Sequence, residues 1–93
     1  MLNGFAKNYH ENGQLAFEGT YKYDDPNGQG KAYDENGQLR AEGNWKNGLL
    51  HGQAKEYNDN GKLQYDGNFK DNEYDGQGII YNENGQLQYE GSW

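Results

Sequence analysis

The sequence has no cysteine, few cations and no long apolar run, and each lack closes a class of function. Without cysteine there are no disulfides and no thiolate metal sites. Lysine and arginine number 8 against 15 aspartates and glutamates, a net charge of −7. So acidic a chain lacks the basic patch with which proteins displace counterions from nucleic acid or meet anionic lipid. The expected partner is therefore another protein, a basic one, with neither nucleic acid nor membrane. No stretch approaches membrane-spanning length, and Met1-Leu2-Asn3-Gly4 does not begin a charged segment followed by an apolar run. No signal peptide is expected, and the expected location is cytoplasmic. Hydrophobic residues make up only 31% and mean hydropathy is −1.42, too little for an ordinary two-layer core.

What the chain has instead is a period. Asn-Gly followed two positions later by Leu recurs at Asn12, Asn36, Asn60 and Asn84, each 24 residues after the last. Gly4, Gly28, Gly52 and Gly76 keep the same step, as do Tyr9, Tyr33, Tyr57 and Tyr81, and Gly19, Gly43, Gly67 and Gly91. Tyr21, Trp45, Phe69 and Trp93 close the units. Self-similarity at this spacing marks one structural unit copied and stacked. The frame makes residues 1–93 a single array with repeats at 4–27, 28–51, 52–75 and 76–93. Aromatic content of 15%, held in register, opposes the disorder that so polar a composition otherwise suggests.

Within a unit, Leu39, Ala41, Gly43 and Trp45 alternate with Gln38, Arg40, Glu42 and Asn44, the pattern of a half-buried strand. A shorter strand precedes it, Gln29 to Asp34. If the large apolar groups share a face, the turn between them is the three-residue loop Glu35-Asn36-Gly37, pairing Tyr33 with Leu39 and Lys31 with Ala41. That is a type I turn with a glycine bulge, with Gly13, Gly37, Gly61 and Gly85 at positive φ. The small residues Gly28, Gly30 and Ala32 then fall on the opposite face, where regular glycines predict regular curvature. No segment shows helical spacing. The fold expected is all-β, four successive hairpins joined by loops of six to eight residues, in a sheet about 38 Å long.

The run Ala41-Glu42-Gly43-Asn44-Trp45-Lys46-Asn47-Gly48-Leu49-Leu50-His51-Gly52-Gln53-Ala54 resembles the MORN repeat, and Tyr65 through Gly78 repeats it. Tyr33-Asp34-Glu35-Asn36-Gly37-Gln38-Leu39 is similar to the bacterial variant of that repeat. The resemblance spans Gly4 to Trp93 and implies an elongated, single-layer antiparallel sheet with an aromatic-lined groove. Ala41 and Phe17 stand where the family often has tyrosine. The resemblance further implies a non-catalytic scaffold for protein–protein interaction, of the kind found in stand-alone antitoxin or immunity proteins that bind a basic toxin. The alternatives are a phosphoinositide- or glycan-binding surface, or a self-assembling module whose end strands, Gly4 to Tyr9 and Tyr89 to Trp93, present edges with no partner in the chain.

The candidate binding surface is aromatic: Tyr9, Tyr21, Tyr33, Trp45, Tyr57, Tyr65, Phe69, Tyr81, Tyr89 and Trp93, joined by Phe17. One hairpin apart, these columns lie about 10 Å from each other, so Leu39 and Leu63 are expected to fill between them. Much of this set also has to serve as core, since little else in the chain is available for burial. Asp71-Asn72-Glu73-Tyr74-Asp75-Gly76 echoes the start of a calcium loop, but its position 12 is Asn82 and no helices flank it, which favours a solvated acidic loop. His10 and His51 have no second ligand at metal spacing, and Gly28-Gln29-Gly30 lacks the rest of a dinucleotide motif. Glu18, Glu42 and Glu90 are identical residues in identical settings, with nothing to separate an acid from a base. No cofactor, metal or catalytic activity is expected.

Overall fold

The computed structural model describes residues 3–93. Met1 and Leu2, part of the N-terminal stretch weighed above as a leader, lie outside the described residues. Eight strands follow in chain order: β1 Gly4–Tyr9, β2 Leu15–Lys22, β3 Asp25–Tyr33, β4 Leu39–Lys46, β5 Leu49–Tyr57, β6 Leu63–Lys70, β7 Glu73–Tyr81 and β8 Leu87–Ser92. They form one open antiparallel sheet in which each strand neighbours only those next to it in sequence. The molecule measures 41 × 27 × 14 Å, its long axis close to the length expected from strand spacing.

The Asn-Gly turns have the loop length that parity requires. The Asp34 amide donates to the Gln38 carbonyl at 2.9 Å and the Gly37 amide to the Asp34 carbonyl at 3.0 Å, which encloses Glu35-Asn36-Gly37. Gly37 sits at φ 85°, and its equivalents Gly13, Gly61 and Gly85 are also at positive φ, a region costly to any residue with a Cβ. The Asp34 carboxylate accepts from the Asn36 and Gln38 amides at 2.9 and 3.1 Å. Those amide bonds, that of Gln38 foremost, hold its carboxyl below the usual carboxylate range.

The register beyond the turn departs from expectation. Tyr33 does stand opposite Leu39, but the ladder then shifts, so that Ala32 pairs with Ala41 and Lys31 with Glu42. Arg40 is the extra residue. The same shift follows Tyr9, Tyr57 and Tyr81. A one-residue bulge reverses every facing beyond it. Gly28, Gly30 and Ala32 therefore lie on the same face as Ala41, Gly43 and Trp45, and not opposite them. Arg40 leaves the ladder to donate to the Tyr57 carbonyl at 3.1 Å and to pair with Asp59 at 2.8 Å.

The links between hairpins are likewise shorter than expected. In place of loops of six to eight residues, Lys22 pairs directly with Asp25, Lys46 with Leu49 and Lys70 with Glu73. Tyr23-Asp24, Asn47-Gly48 and Asp71-Asn72 are two-residue turns with both residues at positive φ, the conformation that matches strand twist. Asp71 and Asn72 thus belong to a turn, and Asn72 clasps the preceding repeat: its side chain accepts from the Leu50 amide at 2.8 Å and its amide donates to the Leu50 carbonyl at 3.0 Å. Between Gly43 and Trp45 the partner strand carries two residues more than β4, and Gly52 at φ 98° lies in that excess. This wide bulge, present at all three junctions, bends the sheet.

Candidate interaction surfaces on the two faces

Two faces of different chemistry result. On the first, here the ring face, the large side chains lie flat over small ones on the neighbouring strand. Phe17 on β2 covers Gly30 on β3, and Tyr65 on β6 covers Gly78 on β7; a methyl added at either glycine would collide with the ring. Gly43 is hemmed in by backbone instead of a ring, since a Cβ there would lie 2.5 Å from the Gln53 carbonyl and the Ala54 backbone. Where the ring column holds Ala41, the covered column holds Ala54, a methyl in the space a ring would need.

Tyr65 is the centre of this layer at 0% exposure. Tyr74 stacks on it with ring centroids 3.8 Å apart and planes 6° from parallel, and Phe69 meets it edge-on at 5.0 Å. Around Phe17, Tyr21 and Trp45 stand edge-on at 5.5 and 5.2 Å. The rings of successive hairpins therefore touch, and Leu39 and Leu63 do not separate them; Leu50 joins the core instead. Tyr74 and Leu50 are absent from the sequence-derived set, although Pro26, Leu50 and Tyr74 form an apolar column that the period could have shown. The Tyr74 hydroxyl donates to Glu56 Oε1 at 2.6 Å. Burial, together with that carboxylate, pushes its pKa up to about 12.

The tyrosine column Tyr9, Tyr33, Tyr57 and Tyr81, expected on the ring face, is carried by the bulge to the other. There it borders a row that crosses the sheet strand by strand: Lys7, Glu18, Lys31, Glu42, Lys55, Asp66, Ile79 and Glu90 are successive cross-strand partners. Charge alternates along this ladder until Ile79. Tyr33 donates to Glu18 Oε1 and Tyr57 to Glu42 Oε1, each at 3.1 Å. Burial first, and the glutamate second, raise both phenol pKa values. Tyr81, whose counterpart is the shorter Asp66, makes no such bond, and Tyr9 is exposed. Beside the ladder runs a row of amides in which Gln29 donates to Asn44 and Gln53 to Asn68.

The ladder face carries a groove of about 680 Å³ lined by Glu18, Lys31, Glu42, Lys55 and Asp66, with Phe5 as its aromatic wall. The groove is lined by charged and small residues and not by an aromatic row as the resemblance implies, because most of the rings lie on the ring face. Of the ten aromatic positions read from sequence, Tyr21, Trp45, Tyr65, Phe69, Tyr89 and Trp93 are brought together there, and the other four stand across the sheet. Among the described residues, no ion pair within 4.0 Å joins Glu18 or Glu42 to a ladder lysine. Lys31 and Lys55 thus stand opposite Glu18 and Glu42 across the strands without closing to salt-bridge contact.

The pattern of the MORN repeat variant matches residues 2–23, 26–47 and 50–71, and that of the MORN repeat matches residues 65–87. No curated protein matches the chain.

Proposed function

The chain belongs to the MORN repeat family, and from that premise we propose that it is a non-catalytic scaffold that binds a basic protein in the groove of its ladder face, in the manner of an antitoxin or immunity protein. The observation that carries this reading is the pair of carboxylates Glu18 and Glu42, fixed in the groove by tyrosine hydroxyls instead of by lysines. A phenol orients a carboxylate without cancelling its charge. The second oxygen of each stays available for an arginine or lysine from outside, and charge-assisted bonds of that kind are about twice as strong as neutral ones. The net charge of −7 adds long-range attraction, which speeds encounter with a cationic partner and weakens as salt is added.

The test is a titration of the chain with a short arginine-rich peptide, followed by amide chemical shifts at low and at physiological ionic strength. Shifts at Glu18, Glu42 and their strand neighbours, reduced by salt and lost in the double variant Glu18→Gln/Glu42→Gln, are the expected result. Shifts spread evenly over the acidic turns, or binding indifferent to the double variant, would remove the groove from the proposal.

A further inference from the structure

The ladder row is periodic in charge, and a periodic surface selects a ligand of the same period. Glu18, Lys31, Glu42, Lys55 and Asp66 are partners on five successive strands, and all five line the groove. At about 4.8 Å between strands, like charges stand about 9.6 Å apart, with the opposite charge midway. Among the described residues, no lysine of this row comes within 4.0 Å of a carboxylate. Both signs are therefore open to a ligand.

A bound chain meets this step in one conformation. An extended strand covers about 10 Å in three residues, but its side chains alternate, so those three apart point opposite ways. An α-helix returns to the same edge after seven residues, about 10.5 Å, yet its carbonyls are already bonded within the helix. A polyproline II helix turns once in three residues and about 9.3 Å, keeps every third side chain on one edge and leaves its carbonyls free. The groove has donors for such carbonyls. Besides Lys31 and Lys55, Gln29 and Gln53 each spend one amide N–H on the asparagine of the next strand and keep a second.

We infer that, granted the groove as the binding site, its occupant is a proline-rich segment in the polyproline II conformation that carries arginine or lysine at every third position. Its cations fall on Glu18, Glu42 and Asp66, and its carbonyls on the lysines between them. Consecutive cations fit worse, because charges set closer than the carboxylate step reach Lys31 and Lys55, where like charge repels. The alternation is what excludes an indiscriminately basic partner. Proline at the two spacer positions fixes the conformation before binding and so lowers the cost of ordering. It also packs against Phe5, the exposed ring that walls the groove.

The isotope-labelled full chain is titrated with a peptide of three Pro-Pro-Arg units and with its isomer of six prolines followed by three arginines, equal in length, composition and charge. Saturable amide shifts at Glu18, Glu42 and Asp66 are expected with the periodic peptide, which binds about tenfold more tightly than its isomer. That preference should shrink severalfold in Glu42→Gln, whose amide keeps the bond from Tyr57 and loses the charge. Equal or tighter binding of the isomer in the groove would overturn the inference and leave the groove as the binding site. Tighter binding of an alanine-based helical peptide with its arginines seven residues apart would overturn it in the same way. Shifts in the groove from none of these peptides would sink the groove reading along with it.

Discussion

The two faces are made by the same four hairpins, yet they treat departures from the repeat in opposite ways. On the ring face the column Phe17, Ala41, Tyr65 and Tyr89 varies in size, and the small column answers it with Gly30, Ala54 and Gly78. On the ladder face the column Lys7, Lys31 and Lys55 breaks at Ile79, and nothing answers: Asp66 and Glu90 flank it on both sides. Overpacking a close-packed layer by a methyl costs about 1–3 kcal/mol, whereas a cross-strand charge pair at the surface contributes about 0.2–1 kcal/mol. A steep interaction forces compensation between copies, while a shallow one tolerates drift and leaves charge free for partners.

The sharpest way to break this comparison is Tyr65→Ala, which empties the ring face at its most buried point. A loss of about 3–5 kcal/mol is expected by chemical denaturation, a large part of the stability of so small a domain; a loss under about 1 kcal/mol would mean the ring layer does not hold the fold. Tyr74→Phe keeps the stack on Tyr65 but leaves Glu56 with the Gln64 amide alone as donor, for about 1–2 kcal/mol at neutral pH. The same residue predicts the alkaline limb. Its pKa is raised above the ordinary 10, so its contribution is whole below pH 10 and is lost as pH climbs toward about 12. Thermal melting should fall across that window and fall less in Tyr74→Phe. On the ladder face Tyr57→Phe should cost only about 1 kcal/mol, since the ring stays and Glu42 remains open to water. Smallest of all, Ile79→Lys completes the alternation between Asp66 and Glu90 and should stabilise by a few tenths of a kcal/mol, about 0.2–0.5, an effect that added salt abolishes. A large loss in that variant would show Ile79 to be a packing residue and erase the contrast between the faces.

Period, strand class, hairpin order and the three-residue turns were legible in the sequence because each rests on a local rule: glycine at positive φ, alternation, fixed spacing. The facing of Tyr33 and Tyr57 was not, because it depends on the bulge at Arg40, and nothing in Leu39-Arg40-Ala41 distinguishes a bulge from a regular strand. The linking turns were hidden for a related reason. Tyr23-Asp24 and Asp71-Asn72 take positive φ without a glycine; aspartate and asparagine enter that region more readily than other side chains but mark it less plainly than glycine does. Of the ten aromatic candidates six meet on one face, where Tyr21, Tyr65 and Phe69 are buried while Tyr89 and Trp93 stay exposed. The setting of the groove's carboxylates was not legible, since sequence shows that glutamates recur but not that a tyrosine reaches each of two of them.

Because every strand is paired in the ladder only with its sequence neighbours, the sheet has no long-range closure to complete. Structure can begin at the Tyr65–Tyr74 stack and spread outward one hairpin at a time, with each step closing only a short loop, a route that favours rapid folding. Undoing follows the same line in reverse. The hairpin at β1 and β2 is able to fray while the central rings stay packed, so hydrogen exchange should be fastest at the two ends and slowest at β6. Pulled by its termini, such a chain would yield as a series of small steps.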